Sequence, residues 1–198
     1  MSDTIDDAKR ALRAELRERR RVMAPAAVEA AGEQLKAHLD DLLARHEVSA
    51  ISCFLSTPFE PSTRAFVESA VARGIRVLLP ITRTDGLLDW TVATEDGDIA
   101  EGLFGLPEPV GELLGPIAVN DVDLMIVPAA AVDRTGMRIG WGRGYFDKTI
   151  GSMEGCPPVY AVVYDSEILD EVPSELHDQP VTGAVTPTRI HEFAPAAR

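Results

Sequence analysis

The stretch Gly136 to Asp147, reading GMRIGWGRGYFD, carries the densest chemistry in the chain. Four glycines fall in nine residues, interleaved with Arg138, Trp141, Arg143 and Tyr145, directly after the apolar run Leu124 to Val127. Without a Cβ, glycine reaches positive φ and lets backbone N–H groups approach an anion, so a Gly/Arg loop between a strand and a short helix suits phosphate. It suits a mobile glycine-rich loop equally, because short glycine patterns are common. Lys9 and Arg13 are four residues apart on an expected helix and project from one face, where they could grip a polyphosphate. The alternative for them is a solvated basic face. Cys53 lies in an apolar run and Cys156 precedes a Pro-Pro turn; without metal-ligand spacing both read as reduced thiols.

The remaining composition sets the frame for these residues. With 198 residues, 45% hydrophobic and 26% charged, the chain has material for a sizeable core, and one domain over residues 1–198 is expected. A net charge of −13 argues against wrapping nucleic acid, so an anionic ligand needs a local basic patch. Such a patch exists, since residues 1–23 hold seven Lys/Arg against five acids. The apolar runs are too short to span a bilayer, and the N-terminus opens with charges instead of a signal-peptide core. A cytoplasmic location without membrane association is therefore expected.

The elements that must hold these residues follow from periodicity. Asp3 and Thr4 read as caps of a first helix with Ile5, Ala8, Leu12 and Leu16 inward. A second helix runs from near Pro25 to His46 on a stripe containing Val28, Ala31, Leu35, Leu39, Leu42 and Leu43. Short apolar runs then alternate with amphipathic ones, the pattern of a parallel sheet covered by helices. Strands are expected at Ser49 to Leu55, Arg76 to Pro80, Leu87 to Val92, Asp123 to Val127, Val159 to Tyr164 and a last one near Gly183 to Val185. A helix capped by Ser62 buries Phe66, Val67, Ala70 and Val71 and stops at Gly74; another runs from about Gly144 to Ile150. Thr94 to Pro116 reads as a loop with one helical turn near Asp98. In open α/β sheets, ligands sit beyond the carboxyl ends of strands, so the loops ending at Glu60, Arg83, Asp147 and Asp178 are candidates to share one cleft.

Several motifs in collinear order resemble the 5-formyltetrahydrofolate cyclo-ligase (5,10-methenyltetrahydrofolate synthetase) family. They are KRALR at Lys9 to Arg13, FLSTPFEPST at Phe54 to Thr63, GLFGLPEP at Gly102 to Pro109, DLMIVPAAAVD at Asp123 to Asp133, the glycine loop, and HD at His177 and Asp178. The resemblance implies a three-layer α/β/α fold with a mostly parallel, Rossmann-like sheet behind two N-terminal helices. It implies ATP- and Mg²⁺-dependent cyclisation of 5-formyltetrahydrofolate to 5,10-methenyltetrahydrofolate with release of ADP and phosphate, on a monomer. Carried onto this sequence, Lys9, Arg10 and Arg13 would meet ATP together with the loop from Arg138 through Ile139, Gly140, Trp141, Gly142, Arg143, Gly144 and Tyr145 to Phe146. Arg138, Arg143 and Tyr145 would serve the chemistry. Leu55, Glu60, Trp141 and Tyr145 would contact the folate, Glu60 through the polar edge of the pterin, and Asp147 and Asp178 would hold the metal. That mechanism asks for positioning and charge stabilisation, which fits a chain without a Ser/His/Asp or Cys/His pattern.

The chain departs from the family pattern in two places. Pro128, Ala129 and Ala130 stand where Pro-Gly-Leu is usual, and Tyr145-Phe146-Asp147 where Tyr-Tyr-Asp is usual. These departures motivate a competing reading, a non-catalytic folate- or nucleotide-binding relative. A phosphosugar enzyme indifferent to ATP and a nucleic-acid binder using the basic first helix are further alternatives, the last disfavoured by the net charge.

Overall fold

The chain begins with two long helices, α1 (Ser2–Arg21) and α2 (Pro25–His46). Pro25 occupies the first turn of α2, where a missing N–H costs no helical bond. Leu35, Leu39, Leu42 and Leu43 recur at helical spacing and are all buried. In this computed structural model residues 2–153, 155–175 and 178–193 are described.

Next come β1 (Ala50–Ser52), α3 (Arg64–Ala72), β2 (Arg76–Thr82) and β3 (Leu88–Val92). A hairpin of β4 (Ile99–Glu101) and β5 (Pro107–Pro109) leads to β6 (Leu124–Pro128). The short strands β7 (Ala131–Asp133) and β8 (Arg138–Ile139) precede α4 (Tyr145–Ser152), β9 (Val159–Val162) and β10 (Ile168–Leu169). The chain closes with β11 (Gly183–Val185) and β12 (Ile190–Glu192).

Seven strands form the main sheet in the order β12-β11-β9-β6-β1-β2-β3. Its five inner strands are parallel, and β3 and β12 run antiparallel at the two edges. Side chains alternate between two cores as a period of two requires. Leu124 and Ile126 of β6 join Ile51, Val77 and Tyr160 under α2 and α3. Met125 and Val127 join Leu78, Trp90 and Ala161 on the opposite face, where Ile150 of α4 packs. A one-residue slip in β6 would exchange these sets, so burial on both faces specifies its register. A third cluster gathers Leu16 of α1 with Ala130, Ala131, Ile139 and Val172. The architecture is the three-layer α/β/α arrangement expected.

Several details differ from expectation. The segment read as a loop with one helical turn near Asp98 is the β4–β5 hairpin, in which Pro107 and Pro109 sit on a two-stranded ribbon that asks little of their missing N–H groups. Thr63, not Ser62, precedes α3, and its hydroxyl donates to the Phe54 carbonyl at 2.5 Å instead of capping the helix. Gly183 to Val185 is not the last strand, because β12 pairs beside it. In α1, which is already formed at Ser2 so that Thr4 lies inside it, Ala8 is exposed and Lys9 buried. Its inward stripe mixes leucines with cations. Among the described residues no helix is long and apolar enough to cross a membrane.

Cys53 is fully buried in the α2/α3 core and burial pushes its thiol up to about 12, whereas Cys156 is exposed. A thiolate-selective disulfide reagent at about pH 8 should label Cys156 quickly and Cys53 only on unfolding. Two fast thiols in the native protein would contradict the placement of β1.

Candidate active site

Helix α1 is docked by charged groups along its inner stripe. The Arg20 guanidinium, 1% exposed, donates from Nε and Nη2 to the two carboxylate oxygens of Glu167, each at 2.7 Å. Its Nη2 also donates to the Ala129 carbonyl at 3.0 Å. Two turns earlier, Arg13 Nε donates to the Gly140 carbonyl at 2.7 Å. Lys9 closes the series with ion pairs to Asp178 at 2.7 Å and Glu175 at 2.9 Å. Burial alone would depress the Lys9 ammonium, but the hydrogen bonds to Asp178 and Glu175 outweigh it and hold the group above its ordinary value. Lys9, Arg13, Leu16 and Arg20 recur every three or four residues, so one helix face reaches all these partners.

Under this face lies a cavity of about 430 Å³ at the carboxyl ends of β1, β2 and β6. Its wall combines the apolar side chains of Phe54, Leu55, Pro80, Leu88 and Leu106 with the acids Glu60 and Glu108. Arg17, Arg20, Arg138 and Arg143 line the same cavity together with Gly140 and Gly144 of the glycine loop and the first turn of α4. Gly142 and Gly144 adopt φ of 96° and 68°, in the left-handed region that strains an L side chain. A Cβ on Gly142 would also press to 3.3 Å from the Arg13 guanidinium. The turn therefore needs glycine at both positions to bring backbone, Arg13 and the start of α4 together.

The loop's side chains are held individually. Arg138 is 3% exposed and donates from Nη2 to Asp147 at 2.8 Å, while its Nε has no partner among the described residues. Burial lowers its pKa and Asp147 and Asp178 oppose that, but a guanidinium stays charged throughout. Trp141 donates from Nε1 to Glu60 Oε1 at 3.0 Å, and the Arg17 and Arg20 guanidinium carbons lie 5.5 and 4.8 Å from its ring centroid. Tyr145 donates to the Arg83 carbonyl at 2.8 Å and presents its ring to the cavity. Arg143 lies over Phe104, 3.2 Å from the ring centroid. Neither Arg17 nor Arg143 forms a hydrogen bond or ion pair with the described residues.

Most of the residues singled out in the sequence converge here, with exceptions. Leu55, Glu60, Arg138, Gly140, Trp141, Arg143, Gly144, Tyr145, Phe146 and Asp147 line the cavity. Arg10 faces solvent and pairs with Asp7, so it is not brought to the site. The side chain of Ile139 is buried with Leu16 and points away. Lys9 and Asp178 meet beside the cavity and not in its wall, and His177 lies outside the described residues. Sequence reading gave no site role to Arg17, Arg20, Phe104 or Glu108, all of which line the cavity. Phe104 is 57% exposed at φ 66°, a strained position for an aromatic residue. A sequence signal existed only for Glu108, a lone acid between two prolines.

The two family departures have simple structural outcomes. Ala129 is not in the positive-φ region, so alanine is accommodated there without strain. The ring of Phe146 packs against the apolar cluster that contains Trp90.

The donor set fits a polyphosphate: a glycine loop, a buried guanidinium whose Nε is unmet among the described residues, and two cations without counter-ions among them. Asp147 and Asp178 both act electrostatically on Arg13 and on Arg138, so the two acids share one charge field. Their oxygens suit Mg²⁺, which takes few protein ligands and completes its shell from phosphates and water. No group of three metal-ligating side chains occurs among the described residues.

The family model described as "5-formyltetrahydrofolate cyclo-ligase family" matches residues 5–187. The chain belongs to this family. It is 34% identical to a 5-formyltetrahydrofolate cyclo-ligase of Mycolicibacterium smegmatis over 91% of this chain and 94% of that one. It is 25% identical to the Escherichia coli cyclo-ligase over 90% of this chain and all of the other. Its fold matches that of the Aquifex aeolicus 5,10-methenyltetrahydrofolate synthetase with a TM-score of 0.79 over 96% of this chain and 95% of that one, at 21% identity. In this cyclo-ligase family member the cavity depends on α1 staying docked. Arg20→Ala leaves Glu167 buried without its partner and should cost about 3–5 kcal/mol in denaturant unfolding. A loss below about 1 kcal/mol, the range of a surface pair, would contradict that dependence.

Proposed function

We propose that this protein catalyses the ATP-dependent closure of 5-formyltetrahydrofolate to 5,10-methenyltetrahydrofolate. The observation that carries the reading is a single cavity lined both by apolar and carboxyl-bearing side chains and by arginines on and beside a glycine loop. The first set suits a flat heterocycle with polar edges, and the second suits a nucleotide's phosphates. Family membership over nearly the whole chain supports the same pairing.

The chemical problem is that a formyl carbon on nitrogen is an amide and a poor electrophile. Transfer of the γ-phosphoryl group to the formyl oxygen converts that oxygen into a leaving group and releases ADP. N10 then bonds to the formyl carbon and gives up its proton to the departing phosphate or to water, the carbon–oxygen bond breaks, and phosphate departs as the methenyl bridge forms. Such transfers ask the protein for alignment and for positive charge where negative charge moves. Arg138 and Arg143 supply charge from the loop and Arg13 from α1, with Lys9 behind them. Gly140, Gly142 and Gly144 let the backbone approach the phosphates closely. Tyr145 and Trp141 border both ligands, Leu55 packs against the folate, and Glu60 holds the indole of Trp141 in place. Asp147 and Asp178 would hold Mg²⁺, each exchanging its present cation partner for the metal. Bound there, the metal would neutralise phosphate charge. The reading places the reaction in the cytoplasm on a monomer, with no nucleic-acid or membrane partner.

The purified protein with ATP, Mg²⁺ and 5-formyltetrahydrofolate should produce the methenyl chromophore. A flat trace despite measurable ligand binding would favour the non-catalytic alternative. Asp147→Ala should lower kcat at least about a hundredfold, the scale of losing one stabiliser of developing charge, and should also lower the melting temperature, because it leaves the buried Arg138 guanidinium without its carboxylate. Wild-type turnover in that variant would remove Asp147 from the metal site. Lys9→Ala should raise the KM for ATP more than that for folate. The reverse pattern would show that this face of α1 serves the other ligand.

A further inference from the structure

We infer that Glu175 is a positioning residue: it keeps the Lys9 ammonium charged and in place when Asp178 turns from that ammonium to the metal. The assignment rests on the nucleotide and metal reading above and concerns a residue to which that reading gives no role.

Lys9 Nζ meets two carboxylates, Asp178 Oδ2 at 2.7 Å and Glu175 Oε2 at 2.9 Å. All three side chains are largely withdrawn from water, 6% exposed for Lys9, 12% for Asp178 and 19% for Glu175. One acid would suffice to neutralise the ammonium. The seating of α1 does not require a second, since Arg20 is already fixed on Glu167 and Arg13 on Gly140. The two acids are also tied to each other. The Glu175 N–H donates to Asp178 Oδ2 at 2.8 Å, and the Asp178 N–H donates to the Glu175 carbonyl at 3.0 Å. Asp178 Oδ2 therefore accepts from the Lys9 ammonium and from the Glu175 backbone at once. Glu175 holds the acid of the metal site with its main chain and the cation of the phosphate side with its side chain.

This division matters because the roles given to Asp178 and Lys9 conflict. If Asp178 were the one counter-ion of Lys9, the ammonium and a divalent cation would compete for the same carboxylate. Taking one partner away from a buried pair strands the other charge, which is strongly unfavourable. With Glu175 present, Lys9 keeps a counter-ion throughout the exchange. An ammonium carries three N–H donors, so one stays on Glu175 while the one that Asp178 releases becomes available to phosphate. Glu175 thereby lets nucleotide and metal reinforce each other's binding.

The test measures by calorimetry the affinity for the β,γ-imido analogue of ATP, which resists phosphoryl transfer, first in EDTA and then in saturating Mg²⁺. The ratio of the two is the gain that the metal brings. Glu175→Gln keeps the side-chain volume and the backbone donor to Asp178 but removes the charge. In it the gain should fall by roughly tenfold, an ordinary size for coupling between two sites, while affinity in EDTA stays within about twofold of wild type. In a Lys9→Met background Asp178 has no cation to give up, so adding Glu175→Gln should change the gain by less than about twofold. Glu175→Asp draws the carboxylate back by one methylene and should also shrink the gain, which decides the matter should the glutamine variant not fold. An unchanged gain in both Glu175 variants would overturn the inference. A fall of equal size in the Lys9→Met background would overturn it too, reducing Glu175 to general negative charge near the metal. Equal weakening with and without Mg²⁺, with a lowered melting temperature, would leave Glu175 only a docking contact of α1. Wild type that binds the analogue no more tightly with Mg²⁺ than without it would instead reject Asp178 as a metal ligand, and the inference with it.

Discussion

The pairing of Arg20 with Glu167 is the constraint on which the site's geometry rests. Both side chains are almost fully buried, and the guanidinium meets the carboxylate through two parallel hydrogen bonds. Such a pair adds little net stability, because removing two charges from water costs nearly what their attraction returns. It is, however, intolerant of misplacement, since separating the partners strands a charge in the interior. Glu167 also accepts from the Tyr164 N–H, so the acid is fixed from its own side. The consequence is a defined seating of α1. Leu16 enters the small cluster with Ala131, Arg13 reaches Gly140, and Arg17 comes over Trp141.

From that seating follows the cavity's charge pattern. A protein of net charge −13 would ordinarily repel an anionic nucleotide. Here Arg17, Arg20, Arg138 and Arg143 are gathered in one concave wall, where a low-dielectric surround strengthens their field. Asp147 and Asp178 temper it from within. Each acid is held by a cation from a different element, so the charges are ordered before any ligand arrives.

The parts of this arrangement that depend on local pattern were legible in the sequence. The α2 stripe, the strand run Leu124 to Val127 and the glycine loop each declare themselves within about a dozen residues. The β4–β5 hairpin did not, because Pro107 and Pro109 mask a strand that needs few ladder bonds. The inward cations of α1 were equally hidden: Lys9 and Arg20 look like any solvated basic face until their acids, more than a hundred residues away, are placed beside them. Glu108 stood inside a recognised motif, yet its burial in the cavity wall beside Thr82 is a fact of three dimensions. Arg10 shows the converse, since its neighbours in sequence suggested a shared ligand and helical rotation turns it outward.

The distance along the chain between the partners of α1 also bears on how the molecule is made. Arg20 and Glu167 are 147 positions apart, and Lys9 and Asp178 are 169 apart. During synthesis α1 leaves the ribosome well before its partners, which follow more than a hundred residues later. The sheet can begin to form from β1 onward while the opening helix still waits, its basic inner stripe facing water. Contacts so far apart close late and slowly. The cavity therefore lacks one wall until Glu167 has been translated, and a chain terminated before it would carry most of the fold without a complete site.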